Sequence, residues 1–401
     1  MKSWASAAAL AAVFVWANQA CAAESIKIGL TGPFTGGSSS MGVSMRDGAK
    51  LAAAEINKAG GVLGRQLELV ERDDEAKNEV GVQVTQELIN KEGVVANLGY
   101  ANTGVALAST RFYQEAEIPV IDNVATGSIV TRQFLPPEHK ANYVFRNAAN
   151  DKIQSGMIAE EAIKRQGFKK PAILADATNY GQLGQKDLTA ALGTMGVKPV
   201  TIEKFNIGDT DMTAQVLRAK EAGADVILTY AIGPELAQIA NAMGRQGWKV
   251  PLIGSWTLSM ASFIDGSGAN GEGAMMPQTF IQAGTTPRRK AFIESFQKTY
   301  NIDRMASPVS AAQGYDSVYL MAAAIAQAKS TDGRKVRAAL ENLEAKVEGV
   351  VTTYDKPFSA TDHEAISANI PVFGVVKGGR VVLAHPEDLE GDKAIRTKTG
   401  S

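Results

Sequence analysis

Val94-Val-Ala-Asn-Leu-Gly-Tyr-Ala-Asn-Thr-Gly104, followed one helical segment later by Ile118-Pro-Val-Ile-Asp-Asn-Val-Ala-Thr126, decides how this chain folds. Each stretch carries a short apolar run, Val94 to Leu98 and Val120-Ile121, and ends on a small hydroxyl residue, Thr103 or Thr126. Gly104 to Glu115 between them reads as a helix. Strands of this kind alternating with helices are the signature of a parallel sheet covered by helices on both faces. In such a sheet ligands collect beyond the carboxyl ends of the strands, where loops meet helix N-termini. Thr103 and Thr126 stand at two such ends, where hydroxyls and exposed backbone N–H groups can hold a small anion. Taken singly, each is as easily a helix cap or a turn hydroxyl; their joint placement favours the anion site. No nucleophile or base lies nearby, so recognition of a carboxylate is expected, and no catalysis.

The pattern extends in both directions. Ile26 to Leu30 alternates as a strand and enters the Gly/Ser-rich turn Thr31 to Gly42, after which Met45, Ala49, Ala52, Ala53 and Ile56 recur at helical spacing. Gly60-Gly61 ends that helix. Leu67 to Val70 reads as the next strand and Val80 to Asn90 as the next helix. A second copy begins after Phe145-Arg146: Ala172 to Ala175 leads into Tyr180-Gly181 and a helix to Leu192. Asp211 is placed to cap a helix ending at Ala222-Gly223. Val226 to Tyr230, a helix from Pro234 to Arg245 and the short strand Pro251 to Gly254 follow. Beyond these, Arg288 to Tyr300, Ser310 to Lys329 and Arg334 to Leu343 read as helices, and Val350 to Tyr354, Pro371 to Val376 and Arg380 to Leu383 as strands. Tyr180, Tyr230 and Trp256 end strands of the second copy, where aromatic walls can close over an apolar ligand body. Ordinary packing at a domain interface is the plain alternative for each.

Lys2, the mostly apolar run Ala5 to Ala17 and the small residues Ala20 to Ala23 have the three regions of a cleavable secretory signal peptide, residues 1–23. Cys21 invites a lipid anchor, but Asn18-Gln19-Ala20 lacks the leucine expected before it. It is the one cysteine in the chain, so the exported product has neither a disulfide nor a thiol nucleophile. The 41 basic and 42 acidic residues are interspersed, with a net charge of -1, which leaves no block of charge to track nucleic acid or a membrane surface. A chain of this length exceeds what one hydrophobic core usually serves.

Chemical motifs are otherwise sparse. There is no G-x-S-x-G elbow, phosphate-binding loop or H-E-x-x-H helix. His139, His363 and His385 are isolated from one another and read as surface residues. Gly36 to Ser40 has a phosphate cradle's composition without its lysine, and fits a loop at a cleft rim better. Asp73-Asp74 and Asp209 with Asp211 read as turn and cap residues before metal ligands, and adjacent Glu160 and Glu161 do not face one another on a helix. No metal or cofactor is called for.

Taken together, Ile28 to Gly36, Gly48 to Asn57, Gly60 to Gly64, Asp73-Asp74, Ile118 to Ile121, Tyr180-Gly181, Gly208 to Ala214 and Gly314 to Val318 resemble the branched-chain amino-acid binding proteins of ABC importers. These are type I periplasmic receptors. The resemblance implies two doubly wound parallel-sheet α/β lobes joined by a three-crossing hinge, a Venus flytrap closing on its ligand. On that pattern lobe 1 comprises residues 24–146 and 281–353, lobe 2 residues 147–280 and 354–390, and 391–401 form a disordered tail. It implies a ligand carboxylate held by Thr103 and Thr126 with backbone help from Ala101 and Val124, Tyr180 covering the ligand from the second lobe, and loop contributions from Ser38 to Met41; Asn102 and Tyr230, with Ser40 and Met41 of that loop, complete the expected ligand-binding set. It also implies a periplasmic monomer that hands its ligand to an ABC permease.

One position departs from the family. Amino-acid binders carry, two residues after the glycine matching Gly254, an acid that pairs with the ligand ammonium; here Trp256 occupies that position. A buried ammonium without its anion costs several kcal/mol. The expectation is therefore an aromatic or hydrophobic carboxylate lacking an α-amino group. The alternatives are leucine, isoleucine or valine with Glu235 as substitute anion, and a receptor that presents its ligand to a membrane sensor.

Overall fold

The computed structural model describes residues 24–283, 286–385, 387 and 396–399. The signal peptide expected over residues 1–23 lies outside the described residues. The first half of the chain builds a five-stranded, wholly parallel sheet from β1 (Ile26–Gly32), β2 (Leu67–Asp73), β3 (Ala96–Leu98), β4 (Val120–Asp122) and β5 (Val144–Arg146). Their order is β2-β1-β3-β4-β5. Helices α1 (Ser39–Lys58), α2 (Asn78–Glu87) and α3 (Thr103–Glu115) connect them. Strands β3, β4 and β5 are buried at every residue, as strands covered on both faces must be, which is why they read as unbroken apolar runs.

Helix α4 (Asp151–Ala159) then leads to a seven-stranded sheet. Its parallel part contains β6 (Pro171–Asp176), β7 (Thr201–Phe205), β8 (Val226–Tyr230), β9 (Leu252–Gly254) and β10 (Met275–Gln278). Helices α5 (Asn179–Thr194), α6 (Thr213–Glu221), α7 (Gly233–Arg245) and α8 (Ala261–Ser267) flank them. After β10 come α9 (Pro287–Tyr300), α10 (Pro308–Ala328), which packs along α1, and α11 (Gly333–Glu341). A small hairpin, β11 (Val347–Glu348) and β12 (Thr353–Tyr354), follows. The chain returns to the second sheet as β13 (Val372–Lys377) and β14 (Arg380–Leu383), antiparallel additions at its edge. The resulting order, β14-β13-β10-β9-β8-β6-β7, repeats the first sheet's arrangement around β6 and β8. Two lobes of α/β architecture result, mostly parallel in each sheet, with each sheet's strand order reversing at a point where ligands can collect.

Several local expectations shift. Val350 and Val351 do not extend a strand, because their N–H groups donate to the buried Asp316 carboxylate at 2.7 and 2.9 Å. Asp211 sits one residue ahead of the α6 N-cap, Met212, and accepts from the Thr213 N–H at 3.0 Å. His363 is buried, not exposed: its Nδ1 bonds the Val144 carbonyl and its ring stacks on Phe145 at 3.9 Å. In the tail expected to be disordered, residues 396–399 lie against the preceding segment, where Lys398 Nζ donates to Asp362, Pro357 and Glu364.

Candidate functional site

The loops after β1, β3 and β4 come from the carboxyl edge of the first sheet, and those after β6, β8 and β9 from that of the second. They meet around a cavity of about 240 Å³ lined by Met41, Ala101, Asn102, Thr103, Val124, Thr126, Tyr180, Ile232, Trp256 and Thr257. Eight of the residues singled out from sequence are thus brought together. Ser40 lies beside Met41 in the first turn of α1 without forming part of that wall. Tyr230 is fully buried one layer behind, its ring 5.4 Å from that of Tyr180.

The first-lobe wall is rich in hydrogen-bond donors. Asn102 is the N-cap of α3, yet its side chain makes no capping bond, so the helix's leading N–H groups remain uncapped. Its amide instead donates to Ser38 Oγ at 3.2 Å. Thr103 Oγ1 accepts from the Gly127 N–H at 3.2 Å, which leaves its proton free to donate. Thr126 Oγ1 is buried with no partner. The Val124 N–H is already given to the Tyr100 carbonyl at 3.2 Å, so the backbone help implied for Val124 is not available to a ligand carboxylate.

Gly127 allows the two threonine loops to approach. A Cβ there would stand 2.3 Å from Thr103 Cγ2, closer than a methyl can be tolerated. The loop is held from behind by the fully buried Arg146, whose Nη1 donates to the carbonyls of Ala125 at 3.2 Å and Gly127 at 2.8 Å. Its other face pairs with Glu364, with Nε to Oε2 at 2.9 Å.

The second-lobe wall is aromatic. Tyr180 donates to Ser255 Oγ at 2.6 Å, Ser255 and Thr257 share a 2.9 Å bond, and Thr257 donates to the Ala231 carbonyl at 2.6 Å. This relay ties the Tyr180 ring to the loops after β8 and β9. Trp256 is fixed through its backbone, its N–H donating to Gln154 Oε1 at 3.0 Å and its carbonyl accepting from Gln278 at 3.2 Å. Its indole Nε1 is buried without a partner. An indole N–H can only donate, so it awaits an acceptor.

Among the described residues, no Asp, Glu, Lys or Arg lines the cavity. Glu235, weighed as a substitute anion, is buried off the wall and accepts from the Gly208 N–H at 2.8 Å. The acid that sequence reasoning missed is Asp151, whose N–H donates to the Thr126 carbonyl at 2.8 Å. It is fully buried, its carboxylate facing the Thr126 and Tyr230 hydroxyls without a hydrogen bond of good geometry to either. Burial pushes its pKa up to about 7, against the Thr126 and Tyr230 hydroxyls and Arg146. Only its place at the N-terminus of the helix after Arg146 could have signalled it. Among the described residues no cluster of His, Cys, Asp and Glu could hold a metal ion.

The periplasmic binding protein family model matches residues 25–380. The leucine-, isoleucine-, valine-, threonine- and alanine-binding protein of Pseudomonas aeruginosa is 29% identical over 331 residues, 82% of this chain and 85% of that protein. The branched-chain amino-acid transporter substrate-binding protein LivJ of Streptococcus pneumoniae, solved with isoleucine, superposes with a TM-score of 0.77 at 26% identity, covering 89% of this chain and 97% of that one. A solute-binding protein of an ABC transporter from Rhodopseudomonas palustris, solved with benzoate, has a TM-score of 0.76 at 21% identity and covers 90% and 95%. The same scaffold therefore surrounds an amino acid in one neighbour and an aromatic acid without an amine in another. With two doubly wound lobes, loops converging from both sheet edges and a family match over nearly the whole described chain, this protein belongs to the periplasmic binding proteins of type I, in the branched-chain amino-acid family.

Proposed function

We propose that this receptor captures a small aromatic or hydrophobic carboxylate lacking an α-amino group between its lobes, and delivers it to an ABC permease from the periplasm. The lobes would be residues 24–146 with 281–353, and 147–280 with 354–390, closing by rotation about the segments that join them. One observation carries the choice of ligand: among the described residues the cavity wall holds two buried donors without a hydrogen-bonded acceptor, Thr126 Oγ1 and Trp256 Nε1, against one unpaired acceptor, Asn102 Oδ1, and no charged side chain. A carboxylate brings acceptors to these groups, to the Thr103 hydroxyl and to the uncapped start of α3. Tyr180 and Trp256 would enclose its apolar body, with Met41 and Ile232 at the rim.

Asp151 favours a second reading. Its orphaned carboxylate lies beside Thr126, and as an anion it could receive a ligand ammonium, giving a branched-chain amino-acid receptor with the acid in a new place. A thermal-shift panel separates the two. Stabilisation by benzoate- or cinnamate-like acids and not by leucine, isoleucine or valine is expected. Stabilisation by the amino acids alone, lost in Asp151→Asn, would establish the second reading.

A further inference from the structure

A second and larger cavity, of about 630 Å³, opens away from the one at Trp256. Its walls come from both halves of the molecule. Ala261 and Ile264 of α8 and Val381-Val382 of β14 belong with the seven-stranded sheet, while Met305 and Pro308 lead into α10, which packs on α1. Phe280 and Ile281, on the segment leaving β10, form the floor.

The chemistry of this groove is consistent along its length. Phe280 and Met305 are buried beneath it, while Val382, a large apolar side chain, keeps 36% of its surface exposed at the lip. Among the described residues, the charged ones in the lining are two arginines, Arg304 and Arg380, and no acid lines it. Arg304 is held in place, paired with Asp265 at 2.5 Å and donating to the Gly379 carbonyl at 3.2 Å. Arg380 begins β14 and is exposed, with no acidic partner among the described residues. An apolar trough ending at an uncommitted guanidinium matches a molecule with a hydrocarbon body and one anionic end.

We infer that this groove is a second ligand site, for an amphipathic monocarboxylate whose chain lies over Phe280, Met305 and Val382 and whose carboxylate pairs with Arg380. The site also touches the cleft. Gln278 lines both this groove and the chamber behind Trp256, and its amide donates to the Trp256 carbonyl at 3.2 Å. A ligand bridging the two halves here stiffens the segment on which Trp256 is positioned.

Octanoate, used below its micelle concentration, is the probe, and isothermal titration calorimetry the readout. Because the cleft can also take a hydrophobic acid, the groove is read in the Thr103→Val background: octanoate should still bind there, and adding Arg380→Glu or Val382→Asp should weaken that binding at least tenfold. Both groove positions lie on an exposed edge strand, and thermal unfolding of each variant verifies its fold. Arg380→Gln, which keeps a neutral hydrogen-bonding side chain, should fall between wild type and Arg380→Glu. Affinity unchanged by either groove substitution, or no binding in that background, overturns the proposal. Octanoate that loses affinity in Thr103→Val alone is occupying the cleft, which leaves the groove empty and the cleft reading intact.

Discussion

Arg146 and Glu364 form a buried pair more than two hundred residues apart in sequence, and together they set the position of the loop carrying Thr126. The arginine is fully buried and the glutamate side chain 18% exposed. With Glu364 balancing its charge, Arg146 can spend two of its donors on the carbonyls that flank Thr126. The glutamate also accepts from Thr131 Oγ1, on the same loop. The pair thus joins a strand end of the first sheet to the segment entering the second, and the loop carrying Thr126 hangs from it.

Removing one partner leaves a buried charge uncompensated. Glu364→Ala should destabilise the protein by about 3–5 kcal/mol in urea denaturation. It should also weaken carboxylate binding, because Arg146 would no longer be fixed against the Ala125 and Gly127 carbonyls. Glu364→Gln, which retains hydrogen-bonding capacity, should recover part of the stability. An unaltered unfolding midpoint in Glu364→Ala would show that the pair contributes nothing net.

Gly127→Ala tests how closely the two threonine loops must approach. The added methyl meets Thr103 Cγ2, so Thr103 must rotate or the loop must withdraw, and either breaks the 3.2 Å bond between the Gly127 N–H and the Thr103 hydroxyl. Ligand affinity should fall more than tenfold, with a stability loss of about 1–3 kcal/mol, typical of overpacking. Affinity equal to the wild type would mean that the Thr103 hydroxyl need not be held there.

How much of this was legible in the sequence follows from how local each cause is. Thr103 and Thr126 could be placed at strand ends because strand, turn and helix signals lie within a few residues of each. Trp256 could be flagged because it follows Gly254 at a fixed short spacing. Gly127, by contrast, is required by a side chain 24 residues away, and Asp151 matters because folding buries it beside Thr126. Val350 and Val351 look like a strand from their own composition. They are not one because Asp316, distant in sequence, takes their N–H groups. Strand β7 alternates exposed and buried residues at the sheet edge, and its apolar signal is correspondingly thin.

Trp256→Phe keeps a ring against the ligand and removes the indole donor. If Nε1 donates to the ligand carboxylate, the loss should be that of one hydrogen bond to a charged group, about 1.5–3 kcal/mol, or tenfold or more in Kd by calorimetry with benzoate. Thr103→Val should cost a similar amount, since it removes the free hydroxyl proton and leaves the Gly127 N–H without its acceptor. If neither variant changes benzoate affinity, the carboxylate is not held at this wall.

Asp151 gives the site a pH dependence whose sign is fixed. Its native pKa, raised to about 7 mainly by burial, lies above the unfolded value near 4. The native state therefore holds a proton that the unfolded chain releases above about pH 4. Its contribution to stability is complete below that value and falls by about 1.4 kcal/mol per unit as the pH rises towards 7, then levels off. The groups facing it are Thr126, Arg146, Asp187, Tyr230 and Tyr180; of these the Thr126 hydroxyl, the arginine and the Tyr230 hydroxyl oppose the rise and Asp187 adds to it. Asp151→Asn carries no titrating group, so its melting temperature relative to the wild type should climb from pH 4.5 to pH 7.5 and stay constant above. At about 2 °C for each kcal/mol, the climb should be about 7 °C. A difference that is flat across this range would show that Asp151 is ionised in the native protein well below pH 7, and would strengthen its claim to be the partner of a ligand ammonium.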